Sequence, residues 1–166
     1  MMTNLQRSRS WVPNSSSAAN NKFNLTLSGQ SLADQIAGLL NHNNRLTVLY
    51  SGQSITANAN QYFVEVYGQT VIGCVGLQKG PRMDKVLHLS VSLLARHKGV
   101  GFRLLTTVVN NSDKDVIYMT IREDNFISLT LAKKLGFEII AYKPKYNYNV
   151  LTLCLFRRKN VTERAY

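Results

Sequence analysis

The stretch from Val86 to Val108 constrains the fold more than any other part of the chain. Val86-Leu87-His88-Leu89-Ser90-Val91 is rich in apolar and β-branched residues, the pattern of a strand packed on both faces. Further on, Gly101, Leu104, Leu105 and Val108 recur at i, i+3, i+4 and i+7. That is one apolar helical stripe, with Arg103, Thr107 and Asn110 left toward water. Between strand and helix sits Arg96-His97-Lys98-Gly99-Val100-Gly101, followed by Phe102. Two glycines permit a tight turn and a close approach of backbone to a ligand. The N–H groups opening the helix face the same space, and Arg96 and Lys98 add charge at the positive end of its dipole. A glycine pair alone describes any strand-to-helix turn, but this placement is what a pyrophosphate site needs. The Gly-Lys-Ser/Thr ending of a Walker loop is absent, and Gly99-x-Gly101 lacks the third glycine of a dinucleotide fingerprint.

Arg96-x-x-Gly99-x-Gly101 resembles the acyl-CoA signature R/Q-x-x-G-x-G/A of the GNAT superfamily of N-acyltransferases. Val91 stands where that superfamily ends its central strand V-x-P-x-x-R, with Leu93 replacing the usual proline. Downstream, Tyr118-Met119-Thr120-Ile121 followed by Asn125 resembles its next strand and the asparagine that opens its next helix. Lys133-Lys134-Leu135-Gly136-Phe137 resembles that helix's end. The resemblance covers roughly residues 60 to 157.

The resemblance implies an α/β fold of the α+β type: a mixed, mostly antiparallel sheet splayed at its centre, with helices on both faces. It implies an acetyl-CoA-dependent N-acetyltransferase acting by direct transfer in a ternary complex. The cofactor-binding residues it implies are Val91, Leu93, Arg96, His97, Lys98, Gly99, Val100, Gly101, Phe102 and Asn125. Main-chain N–H groups near Val91 and Leu93 would hold the thioester, so loss of the proline is tolerated.

Two parts of the superfamily's pattern are missing. The tyrosine it commonly carries seven residues after the asparagine is Ala132 here. Ser128, one turn after Asn125, is the candidate hydroxyl in its place, against the plainer role of a small helix-packing residue. Tyr118, Tyr142, Tyr146 and Tyr148 are alternatives, although such aromatics more often form core or substrate wall. Glu or His is often found at the positions of Lys85 and Leu87. His88 is one residue off, so strict alternation turns it to the opposite face, unless a bulge between His88 and Val91 reverses it. Glu65 is a further candidate base, and water, or an acceptor amine of modest pKa, is the expected substitute for a dedicated one.

With 166 residues and 45% apolar content, the chain has material for one core. We expect a Ser/Asn-rich basic arm over 1–22, a single domain over 23–160 and a tail over 161–166. No 18-residue apolar run or secretory leader pattern is visible, and Cys74 and Cys154 read as buried free thiols. A cytoplasmic protein without membrane contact is the expectation. Three scattered histidines give no metal-ligand spacing. The net charge of +11 suits a CoA binder. No acid precedes Asp34, and Lys143, Lys145, Arg157, Arg158 and Lys159 fall in an acid-free gap, which leaves nucleic acid open as a partner. The acceptor amine and the oligomeric state, a dimer among the options, stay open. So do two alternatives: a CoA-binding protein without turnover, and a basic nucleic-acid-binding or nucleic-acid-modifying protein.

Along the chain, Phe23 to Ser28 alternates as a strand does. Ser31-x-x-Asp34 caps a helix carrying Leu32, Ile36, Leu39 and Leu40 to about Asn41. Leu46 to Tyr50 fits a strand or a short helix, and Ser51 to Ser54 a turn. Gln61–Tyr67 and Thr70–Leu77 form a hairpin about Gly68-Gln69. Val116 to Arg122 is a strand. Asp124 or Asn125 caps a helix that shows Ile127, Leu131 and Leu135 in one line, and Gly136 stops it. Phe137 to Tyr142 and Asn149 to Arg157 close the sheet.

Overall fold

The computed structural model describes residues 26–27, 30–44 and 48–157. The basic arm, the 161–166 tail, Arg158, Lys159 and most of the expected 23–28 strand lie outside the described residues. Of that strand, β1 (Thr26–Leu27) is described, paired with β2 (Gln30–Ser31).

Helix α1 (Leu32–Asn43) starts where its cap predicts: the Ser31 hydroxyl accepts from the Asp34 N–H and donates to the Asp34 carboxylate. The chain then departs from expectation. Of the 46–50 stretch, Leu46 and Thr47 lie outside the described residues and Val48 to Tyr50 form neither strand nor helix, while Ser51 begins α2 (Gly52–Ala57) rather than a turn. Ser51 and Ser54 exchange side-chain and backbone hydrogen bonds, a capping box with serine in the place usually held by Glu or Gln.

Strands β3 (Gln61–Tyr67) and β4 (Thr70–Gln78) form the hairpin, with Gly68 at φ +60° in its two-residue turn. Then follow β5 (Asp84–Val91), a short turn of 3₁₀ helix (Leu93–Ala95) and α3 (Val100–Asn111). β6 (Val116–Arg122), α4 (Phe126–Lys134), β7 (Glu138–Pro144) and β8 (Asn149–Phe156) complete the chain. The sheet order is β3-β4-β5-β6-β8-β7, antiparallel at every junction except β5 with β6. This is the mixed, mostly antiparallel architecture expected.

Two apolar clusters lie on opposite faces of the sheet. Leu32, Ile36 and Leu40 of α1 and Ile55 of α2 pack with Tyr62, Val71 and Cys74. Val100, Leu104, Leu105 and Val108 of α3 pack with Val75, Leu77, Val86 and Ile117 on the other side, together with Ala132 and Phe137. Gly73 lets α3 lie close, since a Cβ there would stand 2.7 Å from Val100 and 2.8 Å from Leu104 side-chain carbons. In α4 the expected line is wrong in one member. Ile127 is 63% exposed, while Leu129, Ala132 and Leu135 face the core. Cys74 and Cys154 are buried and free, and burial pushes the Cys74 thiol up to about 12.

The near end of β5 is anchored by a buried carboxylate. Asp84 accepts from the Ser112 hydroxyl at 2.8 Å, the Gly80 N–H at 3.1 Å and the Lys79 ammonium at 3.1 Å. Arg157 in turn holds the carbonyls of Ser112 and Val109. That anchorage leaves only the far end of β5 free to part from its neighbour.

Candidate functional site

β5 and β6 pair in parallel over Asp84–Val86 and Ile117–Met119 alone. Beyond Met119 they diverge, and the cause lies in β5. Gly76 of β4 faces Leu87 and Cys74 faces Ser90, so His88 and Leu89 together stand opposite Val75. His88 takes the extra residue's left-handed backbone, φ +58°, and the Cys74 thiol donates to its carbonyl. A bulge bends its strand and increases its twist, which carries Leu87–Val91 away from β6. It also shifts the alternation. Val86, Leu89 and Val91 pack on the α3 side, while His88 joins Tyr62 on the α1 side. The reversal that the sequence allowed therefore occurs.

The divergence opens a cavity of about 1130 Å³ between Leu87–Val91 of β5 and Met119–Arg122 of β6, roofed by the starts of α3 and α4. The Ser92 N–H donates to the Ile72 carbonyl of β4. Antiparallel alternation then turns the N–H and C=O of Val91 to the other edge of the strand, into the gap. The Arg96 Nε donates to that carbonyl at 3.4 Å, so Arg96 is folded back over the strand end.

The basic turn is held by geometry rather than by a side-chain cap. His97 and Gly99 both adopt left-handed backbone, φ +58° and +76°, and Gly99 is the N-cap of α3. The Arg103 N–H is the first to reach a carbonyl, that of Gly99, so the N–H groups of Val100, Gly101 and Phe102 precede the helical ladder. All three residues line the cavity, and no acid sits in the first turn of α3 to compete for them. Gly101 has a packing reason as well. Its Cβ would lie 3.2 Å from Leu131 and 3.6 Å from Val91 side-chain carbons. Arg103 braces the turn from outside, donating to the Lys98 carbonyl at 2.9 Å while gripping Glu65.

Of the cofactor residues expected from sequence, Val91, Arg96, His97, Gly99, Val100, Gly101, Phe102 and Asn125 line this one cavity. Leu93 and Lys98 stand outside its walls, Leu93 in the exposed turn after β5. Asn125 caps α4 by accepting the Ser128 N–H at 3.2 Å, and Ser128 lines the cavity beside it. Ala132 is fully buried and turned away. Among the described residues no tyrosine lines the cavity. Tyr118 stacks under the Lys85 ammonium, Tyr148 on the Arg122 guanidinium, and Tyr142 and Tyr146 are exposed. Glu65 is committed to Arg103 and lies outside the cavity walls.

His88 does line the cavity, and its ring is tied at both nitrogens. Tyr62 Oη lies 2.6 Å from Nδ1 and Tyr50 Oη 2.8 Å from Nε2. Burial, with the nearby Lys85 charge, lowers the imidazole to about 4, so it is neutral at physiological pH. Burial raises the Tyr62 phenol. Asn41 fixes Tyr50 from behind, its amide bonding both the N–H and the C=O of that residue. Sequence reading did not find Tyr50 or Tyr62, which meet His88 from 38 and 26 residues away with no local signal of the contact.

The model of the Acetyltransferase (GNAT) family matches residues 36–137. The N-alpha-acetyltransferase RimI of Mycobacterium tuberculosis is 26% identical over 91 residues, covering 52% of this chain and 58% of that protein. The chain spans less than two thirds of the length of the curated relatives it matches. Among solved structures, the ribosomal-protein-S18-alanine N-acetyltransferase of Escherichia coli superposes with a TM-score of 0.69 at 12% identity, covering 86% of this chain and 96% of that one. The yncA protein of Salmonella typhimurium, solved with its cofactor acetyl-CoA, gives 0.66 at 17% identity, covering 81% and 93%.

Proposed function

The chain belongs to the GNAT family of acetyltransferases, and from that premise we propose that it moves the acetyl group of acetyl-CoA directly to an amine while both are bound. The observation that carries this reading is the coincidence of the β5–β6 gap with the unclaimed N–H groups of α3 in one cavity. Acetyl-CoA supplies the activated acyl group as a thioester. Val100, Gly101 and Phe102, with Arg96 beside them, would take its pyrophosphate. The Val91 N–H, turned into the gap, would polarise the thioester carbonyl.

In the reaction the amine nitrogen bonds to the carbonyl carbon and the C–S bond breaks. The nitrogen loses a proton and the leaving thiolate gains one. Ser128 is the hydroxyl we assign to the thiolate, directly or through water, because it lines the cavity where Ala132 does not. Water is assigned the amine's proton, since Glu65 is committed to Arg103 and both nitrogens of His88 are engaged. A protein α-amine is the acceptor class we favour. In support, the Mycobacterium tuberculosis relative is an N-alpha-acetyltransferase and the Escherichia coli neighbour acts on ribosomal protein S18 alanine.

A second reading, CoA binding without turnover, draws on one observation: no described tyrosine reaches the cavity. Release of CoA thiol from acetyl-CoA in the presence of free-amine peptides separates the two. Amine-dependent thiol release is the result expected. Tight acetyl-CoA binding with no thiol release across the peptides would support the second reading.

A further inference from the structure

One half of one sheet face has no core cluster over it. Ile117, Met119 and Ile121 of β6 and Leu151, Leu153 and Leu155 of β8 all pack into the α3 cluster. Alternation turns the residues between them to the other side. On that side the α1–α2 cluster draws on β3 and β4, and none of its residues comes from β6, β7 or β8. Among the described residues, Tyr118, Arg122 and Phe156 therefore stand on an uncovered surface, with Phe156 55% exposed. Lys85 of β5 lies level with Tyr118, and Lys143 of β7 is exposed and level with Val150, itself level with Arg122. β6 carries this surface for about 20 Å. Cations and rings share it. The Lys85 ammonium lies 5.9 Å from the centre of the Tyr118 ring, and the Arg122 guanidinium 3.9 Å from that of Tyr148. Glu138 lies on the surface too, and Asp124 offsets Arg122. Lys85, Lys143 and Lys145 keep it positive, and Arg158 and Lys159 follow soon after β8 ends.

We propose that this uncovered face of β6, β8 and β7 binds single-stranded nucleic acid, with bases on Tyr118 and Phe156 and phosphates on Lys85, Lys143 and Lys145. A ring beside a cation grips both parts of a nucleotide, the base by stacking and the phosphate by charge. A second copy of the chain is the poorer occupant, because Lys85, Arg122 and Lys143 would have to lose their water in the middle of the contact. An acidic protein would meet the charge but make no use of the rings. Thr120 and Arg122 of β6 also line the cavity, so a strand on this face lies beside its mouth while the start of α3 stays open to acetyl-CoA.

Fluorescence anisotropy of a labelled oligouridylate titrated with the full chain tests it. Binding should be tighter than to a duplex of the same length, whose base faces are hidden. Its log affinity should fall with log salt at a slope of about −2, the value for three phosphates on a single strand. Lys143→Gln should weaken binding several-fold and flatten that slope by about 0.7. Phe156→Leu and Tyr118→Leu should each weaken it about fivefold or more at constant charge. Lys143 is exposed, so its variant decides the matter even where Tyr118→Leu disturbs the sheet. Lys133→Gln, on α4 across the sheet, is the control for charge alone. Several outcomes overturn the inference: no binding at low salt, a duplex bound as tightly, or Lys133→Gln weakening the strand as much as Lys143→Gln. Displacement of the strand by acetyl-CoA would place it on the phosphate turn and overturn it too. So would equal competition by polyglutamate, or a dimer that Phe156→Glu separates. Failure here leaves the acetyl-transfer reading standing, since acetyl-CoA binding and thiol release are measured without nucleic acid.

Discussion

Arg103 grips Glu65 with two parallel bonds, 2.8 and 2.7 Å, joining the first turn of α3 to β3 across 38 residues of chain. Its remaining arm holds the Lys98 carbonyl, so one guanidinium fixes both the helix and the turn that precedes it. The Glu65 contact, with burial opposing it, raises the Arg103 pKa. Bidentate pairing gives fixed geometry, which is what a phosphate-binding turn requires. Glu65→Gln and Arg103→Lys should each weaken acetyl-CoA binding several-fold. The double variant should lose little more than either alone, because the two act as a unit. Calorimetric titration of the three variants checks it.

Gly99→Ala should cost stability and ligand together. An L-residue in left-handed backbone costs roughly 1–2 kcal/mol, and the added Cβ would stand 3.1 Å from the Arg103 guanidinium. A lowered melting temperature with weaker acetyl-CoA binding is expected. An unchanged acetyl-CoA Kd would separate the turn from the ligand.

Asp84 makes the fold acid-sensitive in a defined window. Burial works to raise its pKa, but the Ser112 hydroxyl, the Gly80 N–H and Lys79 together bring it below its ordinary 3.8. A carboxyl depressed in the folded state stabilises above its unfolded pKa, and that stability is lost as pH falls through the folded value. The urea midpoint should therefore carry no pH dependence from Asp84 near pH 7, where its contribution is fully present, and should fall as the pH drops below 3.8. Asp84→Ala, which orphans the buried Ser112 hydroxyl, should cost roughly 1–3 kcal/mol at pH 7 and remove part of the acid dependence.

Ser128→Ala should lower kcat by about tenfold or more if its hydroxyl serves the leaving thiolate, with the acetyl-CoA Kd unchanged. Steady-state kinetics beside calorimetry read the two separately. Equal kcat would leave Ser128 as the small packing residue on α4.

What could be read from the sequence was local. The Ser31 and Asn125 caps, the Gly68 hairpin and the strand–turn–helix at Arg96–Gly101 are each decided within a few residues, and each stands where it was expected. Ser51-Gly52-Gln53-Ser54 has turn composition, and only its reciprocal serine bonds make it a helix start. Leu131 and Leu135 of the expected α4 line do pack on the core, but Ile127 does not, because the helix docks its first turns by Leu129 and Ala132, a tertiary preference that a 3.6-residue repeat does not encode. The face taken by His88 depends on how β4 pairs with β5, and its partners arrive from distant segments. Gly101 was read as a ligand approach, and contact distances add the closeness of α3 to Leu131 and Val91.

The central claim is that acetyl-CoA lies between β5 and β6 with its pyrophosphate on the start of α3. Backbone amide NMR of the chain during an acetyl-CoA titration tests it most directly. The largest shifts should fall on Val91, Val100, Gly101 and Phe102, with smaller ones along Thr120–Arg122. Shifts confined to β7 and β8, or none at saturating acetyl-CoA, would contradict it.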